Sequence, residues 1–249
     1  MSLSASKQVT SLEHKQNIGA SRFGFLHQSE SLIGICSFTD AKRPKLSPRG
    51  PREPHHRSRA HLIIIDSDGL RLGAIKNART EAFPNLELSE IIHKVKAGLL
   101  DPRNNGDSQY KNIIIHAGAE DLEEGMALDR IVFLFKAISK LIKEQSPNSD
   151  IMISSILPRV IASSYFKTSA KILNGRLADF CAREGFGLLP SFRPFLSRGR
   201  PKAEFFDGSR ISAAGAASLT CCFQHALSPK NQGVLVKYAQ RGLPRVYRP

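Results

Sequence analysis

The residues best placed to do chemistry are Asp66, Ser67 and Asp68, a hydroxyl between two carboxylates directly after His61-Leu62-Ile63-Ile64-Ile65. Four large apolar residues in a row, three of them β-branched, read as a parallel strand buried on both faces. In an open α/β sheet ligands bind in the crevice outside the carboxyl ends of the strands, so these three side chains are expected there. A turn that caps a helix uses the same residue types, and that reading stands beside the first. A second chemistry is carried by cations. Arg71, Lys76 and Arg79 are expected on a helix over 70–79, and Arg193, Arg198, Arg200 and Lys202 crowd one loop. Lys230, Lys237, Arg241, Arg245 and Arg248 follow the last predicted helix. Such residues contact phosphates with little sequence readout, or else form a solvated rim.

The elements that must position these residues alternate strand and helix. After the first strand, Phe83-Pro84-Asn85 breaks the chain, and Leu88, Ile91, Ile92, Val95 and Leu99 recur at three- and four-residue spacing, which predicts an amphipathic helix. Asn112-Ile113-Ile114-Ile115-His116-Ala117-Gly118 is a second buried strand. A helix is predicted over 126–144, a third strand over 151–157, a helix over 166–184, a short strand over 186–189 and a last helix over 212–227. With no hairpin signals between them, these elements predict a three-layer α/β/α sandwich around a parallel sheet. No internal repeat is visible.

The chain has 249 residues and a formal net charge of +14. Residues 1–60 carry 10 Lys and Arg against 4 Asp and Glu, residues 228–249 carry 5 against none, and the 61–227 domain is close to balance at +3. Basic flanks point to a polyanion, nucleic acid ahead of an acidic membrane or protein. Arg43 to Arg57 is so rich in Pro, Ser and His that the 1–60 segment is expected to be a flexible tail, able to carry protein partners, and 228–249 a basic extension. No apolar run is long enough to span a membrane, and the N-terminus lacks a secretory pattern, so an intracellular, cytoplasmic protein is expected. Cys36, Cys181, Cys221 and Cys222 have neither zinc-ligand nor disulfide-framework spacing. No metal and no cofactor is implied.

With the strands placed, the order of four short blocks over roughly residues 61–227 resembles the SGNH, or GDSL-type, hydrolase family, whose fold has flavodoxin-like strand order. The family's Gly-Asp-Ser falls on Asp66-Ser67-Asp68 when aligned without gaps to Arg71, which puts Asp68 at the nucleophile position. A shift by one residue instead makes Ser67 the serine, a fallback nucleophile. Phe83-Pro84-Asn85 is similar to the second block, with Asn85 at a glycine whose amide serves the oxyanion hole. Gly118-Ala119-Glu120-Asp121 matches the third, with Glu120 in place of an asparagine donor. Asp207-Gly208-Ser209-Arg210-Ile211-Ser212-Ala213-Ala214-Gly215 matches the last at every spacing, with Arg210 where the catalytic histidine belongs.

By this resemblance nucleophile, oxyanion donor and base are all replaced. A carboxylate where an oxyanion develops opposes a stabilisation of roughly 2.7–4 kcal/mol, and a guanidinium, always protonated, accepts no proton. Asp68, Glu120 and Asp207 are expected to neutralise Arg210 as a salt-bridged plug, and Arg210 among them argues against a bound cation. The implied protein is a pseudoenzyme that binds RNA through Arg71, Lys76, Arg79, Arg198, Arg200, Lys202, Arg210, Lys237, Arg241 and Arg245. In this it resembles the OSK domain, the non-catalytic RNA-binding branch of the fold known from germ plasm and its ribonucleoprotein granules. A residual acyl-ester hydrolase using Ser67 and a protein-interaction scaffold are the alternatives.

Overall fold

The computed structural model describes residues 60–85, 87–105 and 109–228. The 1–60 tail except Ala60, the 228–249 extension except Ser228, and with it Lys237, Arg241 and Arg245, lie outside the described residues. Among the described residues no helix is long and apolar enough to cross a membrane.

The sheet is built on β1 (His61–Ile65), β3 (Asn112–His116) and β4 (Asp150–Ser154), with β2 (Ala78–Ala82) and β5 (Gly187–Leu189) at its edges. All pairings are parallel and the order is β2-β1-β3-β4-β5, the flavodoxin-like order. Ile63 of β1 pairs with Ile114 of β3, and Ile115 with Ile153 of β4. Because side chains alternate across a strand, each isoleucine run serves two cores. Leu62, Ile64, Ile113, Ile115, Ile151 and Ile153 face α1 (Leu88–Lys96), α3 (Leu128–Gln145) and α4 (Ser164–Glu184). Ile63, Ile65, Ile114 and Met152 face α5 (Ala213–Leu227), which contributes Leu219 and Phe223. The result is the expected three-layer sandwich, with three long helices on one face and one on the other. A five-residue helix, α2 (Ala119–Glu123), follows β3.

Two expectations are corrected. Residues 70–79 do not form a helix: a 3-10 turn over Ser67–Arg71 gives way to an extended segment and then to β2. The reason is local. Gly69 lies so close to β1 that an added Cβ would sit 2.3 Å from Ile65 Cγ2, and Asn77 adopts φ +57° just before β2. The sequence of β2, Ala-Arg-Thr-Glu-Ala, pairs on one side only and carries an Arg79–Glu81 ion pair. Arg71, Lys76 and Arg79 therefore occupy a turn, a loop and an edge strand rather than one helix face.

The second correction is that a repeat exists. A 3-10 turn at Arg193–Phe195 leads into a hairpin of β6 (Leu196–Ser197) and β7 (Arg200–Pro201). Ten residues on, a 3-10 turn at Ala203–Phe205 leads into β8 (Phe206–Asp207) and β9 (Arg210–Ile211). The two units close alike: the Lys202 amide donates to Phe195 O and the Ser212 amide to Phe205 O, both at 2.9 Å. Phe195 and Phe205 meet edge to face, 5.3 Å between centroids. Left-handed residues make both turns, Arg198 and Gly199 in the first and Gly208 in the second, as two-residue hairpins require. Arg200 and Arg210 thus occupy equivalent positions.

The second unit is seated on α5 at Gly215, where an added Cβ would lie 2.2 Å from Phe205 O, a backbone atom. Gly215→Ala is expected to lower stability by about 1–3 kcal/mol through overpacking, read as a lower urea midpoint at unchanged slope. An unchanged midpoint would show that the hairpin moves aside freely.

Candidate functional site

The site forms where β1, β3 and β4 end. The Asp66 amide donates to His116 O at 3.1 Å, which carries the β1–β3 ladder one residue past the strand. Asp66 then caps the 3-10 turn, its Oδ1 accepting from the Asp68 amide at 3.1 Å. Successive side chains of this turn go to different partners. Ser67 Oγ accepts from the Asn85 amide at 2.8 Å and donates toward Asn85 Oδ1 at 3.4 Å. Asn85 has φ +53°, the left-handed region that favours glycine. Asp68 instead lies 3.7 Å from His116 Nε2.

His116 begins a buried polar chain. Its Nδ1 shares a hydrogen bond of 2.7 Å with Ser154 Oγ, Ser154 bonds Ser191 at 2.7 Å, and Ser191 bonds Ser155 at 3.1 Å. The Phe223 ring closes on the imidazole from the α5 side. Ligand atoms of Asp66, Asp68 and His116 lie within 4.8 Å of one another, close enough to hold a cation between them. Burial pushes the Asp66 carboxyl up to about 7, against the opposing pull of His116, with Asp68 and Glu120 raising it further.

The third block is held by its last residue. Asp121 is fully buried, and both its oxygens accept from the Leu88 amide at the start of α1, at 3.3 and 3.2 Å. Burial raises this carboxyl to about 6, with the Leu88 amide opposing. Gly118 takes φ +99° as the chain turns from β3 into α2.

The expected salt-bridged plug does not form, because each acid has its own partner. Glu120 lies 3.6 Å from Arg159 Nη2, and Arg159 also pairs with Glu123 and covers the Phe166 ring at 5.1 Å. Asp207 pairs with Arg71 at 3.3 Å, and Arg71 donates to Ile211 O at 2.9 Å. Arg210, in β9, is exposed and makes no ion pair among the described residues. Arg159, 8% exposed, is the residue that sequence reasoning passed over. The Pro158-Arg159 pair closes the third strand, and nothing local marks it as the partner of acids 36 and 39 residues earlier.

The candidate phosphate contacts are divided. Arg79 is committed to Glu81 and Tyr110, and Arg71 to the last block. Lys76 is exposed, as are Arg198 and Arg200 on the first hairpin, and Lys202 lies over Phe205, 4.9 Å from its centroid.

No protein-family model and no curated protein matches the chain. Solved structures do. A Streptococcus pneumonia protein named for platelet activating factor shares 19% identity at TM-score 0.58, over 69% of this chain and 85% of that one. A GDSL-like lipase from Bacteroides thetaiotaomicron shares 12% at TM-score 0.54, over 68% and 87%. A lipolytic G-D-S-L protein from Veillonella parvula shares 11% at TM-score 0.56, over 68% and 98%. At these identities the likeness is one of fold, and the domain is an SGNH-hydrolase-like α/β scaffold.

The buried carboxyl fixes a pH dependence. Asp66 is held near 7 in the fold against 3.8 as its ordinary value, so the folded state keeps a proton that the unfolded chain has lost. Its stabilising contribution is complete below about pH 4 and is lost as pH rises through 7. Asp121 acts with the same sign up to about 6. Asp66→Asn, which keeps the oxygen that caps the turn, is expected to flatten the fall in stability between pH 4 and 7, measured by urea unfolding at each pH. An equally steep fall in the variant would relocate the effect.

Proposed function

We propose that this protein is a non-enzymatic RNA-binding protein on an SGNH-hydrolase-like scaffold, as the OSK-type resemblance implies. The observation that carries the reading is the exposure of Arg198, Arg200 and Arg210 on two hairpins of the same design, with no ion pair to any of them among the described residues. Cations left unpaired on a chain of +14 favour a polyanion, and phosphates are what such a surface contacts. A guanidinium accepts no proton, so Arg210 suits binding and not general-base work. RNA affinity of the full chain is expected to fall steeply with salt. The triple variant R198E/R200E/R210E should weaken binding and lower the slope of log affinity against log salt by about three, one for each phosphate contact removed. An unchanged slope removes the hairpins from the interface, and no binding at low salt removes the reading.

One observation favours a second reading, an acyl-ester hydrolase. The Asn85 amide pointing at Ser67 Oγ from a left-handed residue is the arrangement in which a backbone donor would meet an oxyanion beside a serine nucleophile. If this holds, a short-chain aryl ester is turned over by the full chain and Ser67→Ala abolishes the turnover. Equal rates in the two proteins dismiss it.

A further inference from the structure

Between the N-terminal half of α4 and the first hairpin lies a cavity of about 340 Å³. This is near the lower end of pockets that take small molecules. Its walls are mostly carbon, from Ile156, Phe166, Ala170, Phe192, Leu196 and Pro201. The polar groups at its floor are already satisfied: Asn174 accepts from the Ile156 amide at 2.7 Å and donates to Ile156 O at 3.0 Å, and Arg159 is held by Glu120 and Glu123.

Its rims are different. Lys167 and Lys171, four residues apart and so stacked on one face of α4, border the cavity on one side and are exposed. On the other side the border is Gly199 of the hairpin turn, preceded by the exposed Arg198, while Arg200, paired across the hairpin with Ser197, lies on the face opposite the lining residues Leu196 and Pro201. Neither Lys167, Lys171 nor Arg198 forms an ion pair among the described residues. The cavity is therefore an apolar slot between two cationic edges. A single-headed amphiphile would use one edge and leave the other unmatched. A nucleotide within a single strand presents a planar base, apolar on its two faces, with a phosphate on each side.

Resting on the RNA reading, we propose that this cavity receives one unstacked base of single-stranded RNA, with the phosphates before and after it on Lys167/Lys171 and Arg198. Duplex RNA, whose bases stay paired and stacked, would meet only the rims. The hairpins then supply the charge and the cavity supplies the preference for single strands.

The test compares, on the full chain, a single-stranded RNA oligomer with the same oligomer made abasic, which keeps every phosphate and removes every base. The unmodified strand is expected to bind about tenfold or more tightly, the effect of one stacked base. Ala170→Trp, which fills the cavity with an indole, should bring that strand down to the abasic affinity and leave abasic binding unchanged. Circular dichroism and the thermal midpoint establish that the variant is folded, and the abasic comparison needs no variant at all. Equal affinity for the two strands overturns the base pocket while RNA binding by the hairpins stands. So does a folded Ala170→Trp protein that keeps the preference. Decyl phosphate that binds the cavity without displacing the unmodified strand would assign it to an amphiphile and overturn the proposal. No RNA binding at low salt fails the underlying reading itself.

Discussion

The structure depends on burying β1, β3 and β4 on both faces at once. A strand covered on one side alternates apolar and polar residues, but these three cannot, because helices pack on either side of them. Leu62 to Ile65, Ile113 to Ile115 and Ile151 to Ile153 are accordingly almost without exposure, and each side chain so buried is worth about 1.5–3 kcal/mol. Parallel pairing brings all three carboxyl ends to one edge of the sheet. The first polar residues of each exit, Asp66, His116 and Ser154, are therefore forced together in a region with little water. The raised carboxyl of Asp66 and the serine chain behind His116 follow from that placement.

Burial also decides how the acids are neutralised. A carboxylate at a closed edge needs a partner whose own element passes over it, since an uncompensated buried charge is costly. Arg159, in the segment leaving β4, is positioned to reach Glu120 and Glu123, and its guanidinium stacks over Phe166 while doing so. Asp207 is served by Arg71 from the turn after β1, a pair at 46% and 70% side-chain exposure that contributes little to stability but ties the second hairpin to the first block. With Asp68 beside His116, Glu120 beside Arg159 and Asp207 beside Arg71, Arg210 is left facing water.

The parts of this arrangement that could be read from the chain are those with a dense local signal. Isoleucine runs mark the three central strands, and the spacing of Leu128, Ile131, Phe135, Ile138 and Ile142 marks α3, because each pattern is sustained over several residues. The edge strand β2 escaped because Ala-Arg-Thr-Glu-Ala buries only two small residues, Ala78 and Ala82, against the α5-side core, and the charged residues between them mask the alternation. Its partner hydrogen bonds to it on one side, and its outer residues are free to be charged. The tandem hairpins escaped because each strand has two residues, below the length at which alternation shows. Their ten-residue register lies in backbone hydrogen bonds and left-handed turns more than in shared side chains. Pairings such as Glu120 with Arg159 join segments brought together by β4, and no local pattern reports them. Asn85 was marked by its place in a block, but the Ser67 oxygen it faces depends on the direction each side chain leaves the 3-10 turn.

The tandem hairpins bear on how the last block is used. The first unit, Phe195 to Lys202, and the second, Phe205 to Ser212, close with the same hydrogen bonds and present a basic residue at the same position, Arg200 and Arg210. An imidazole at 210 would alternate between charged and neutral near neutral pH, and its value would lie in that change. A guanidinium there adds a fixed charge in step with the one ten residues before it. The second hairpin then does the same physical work as the first, and what the pair offers a ligand is a repeated positive charge at a constant interval.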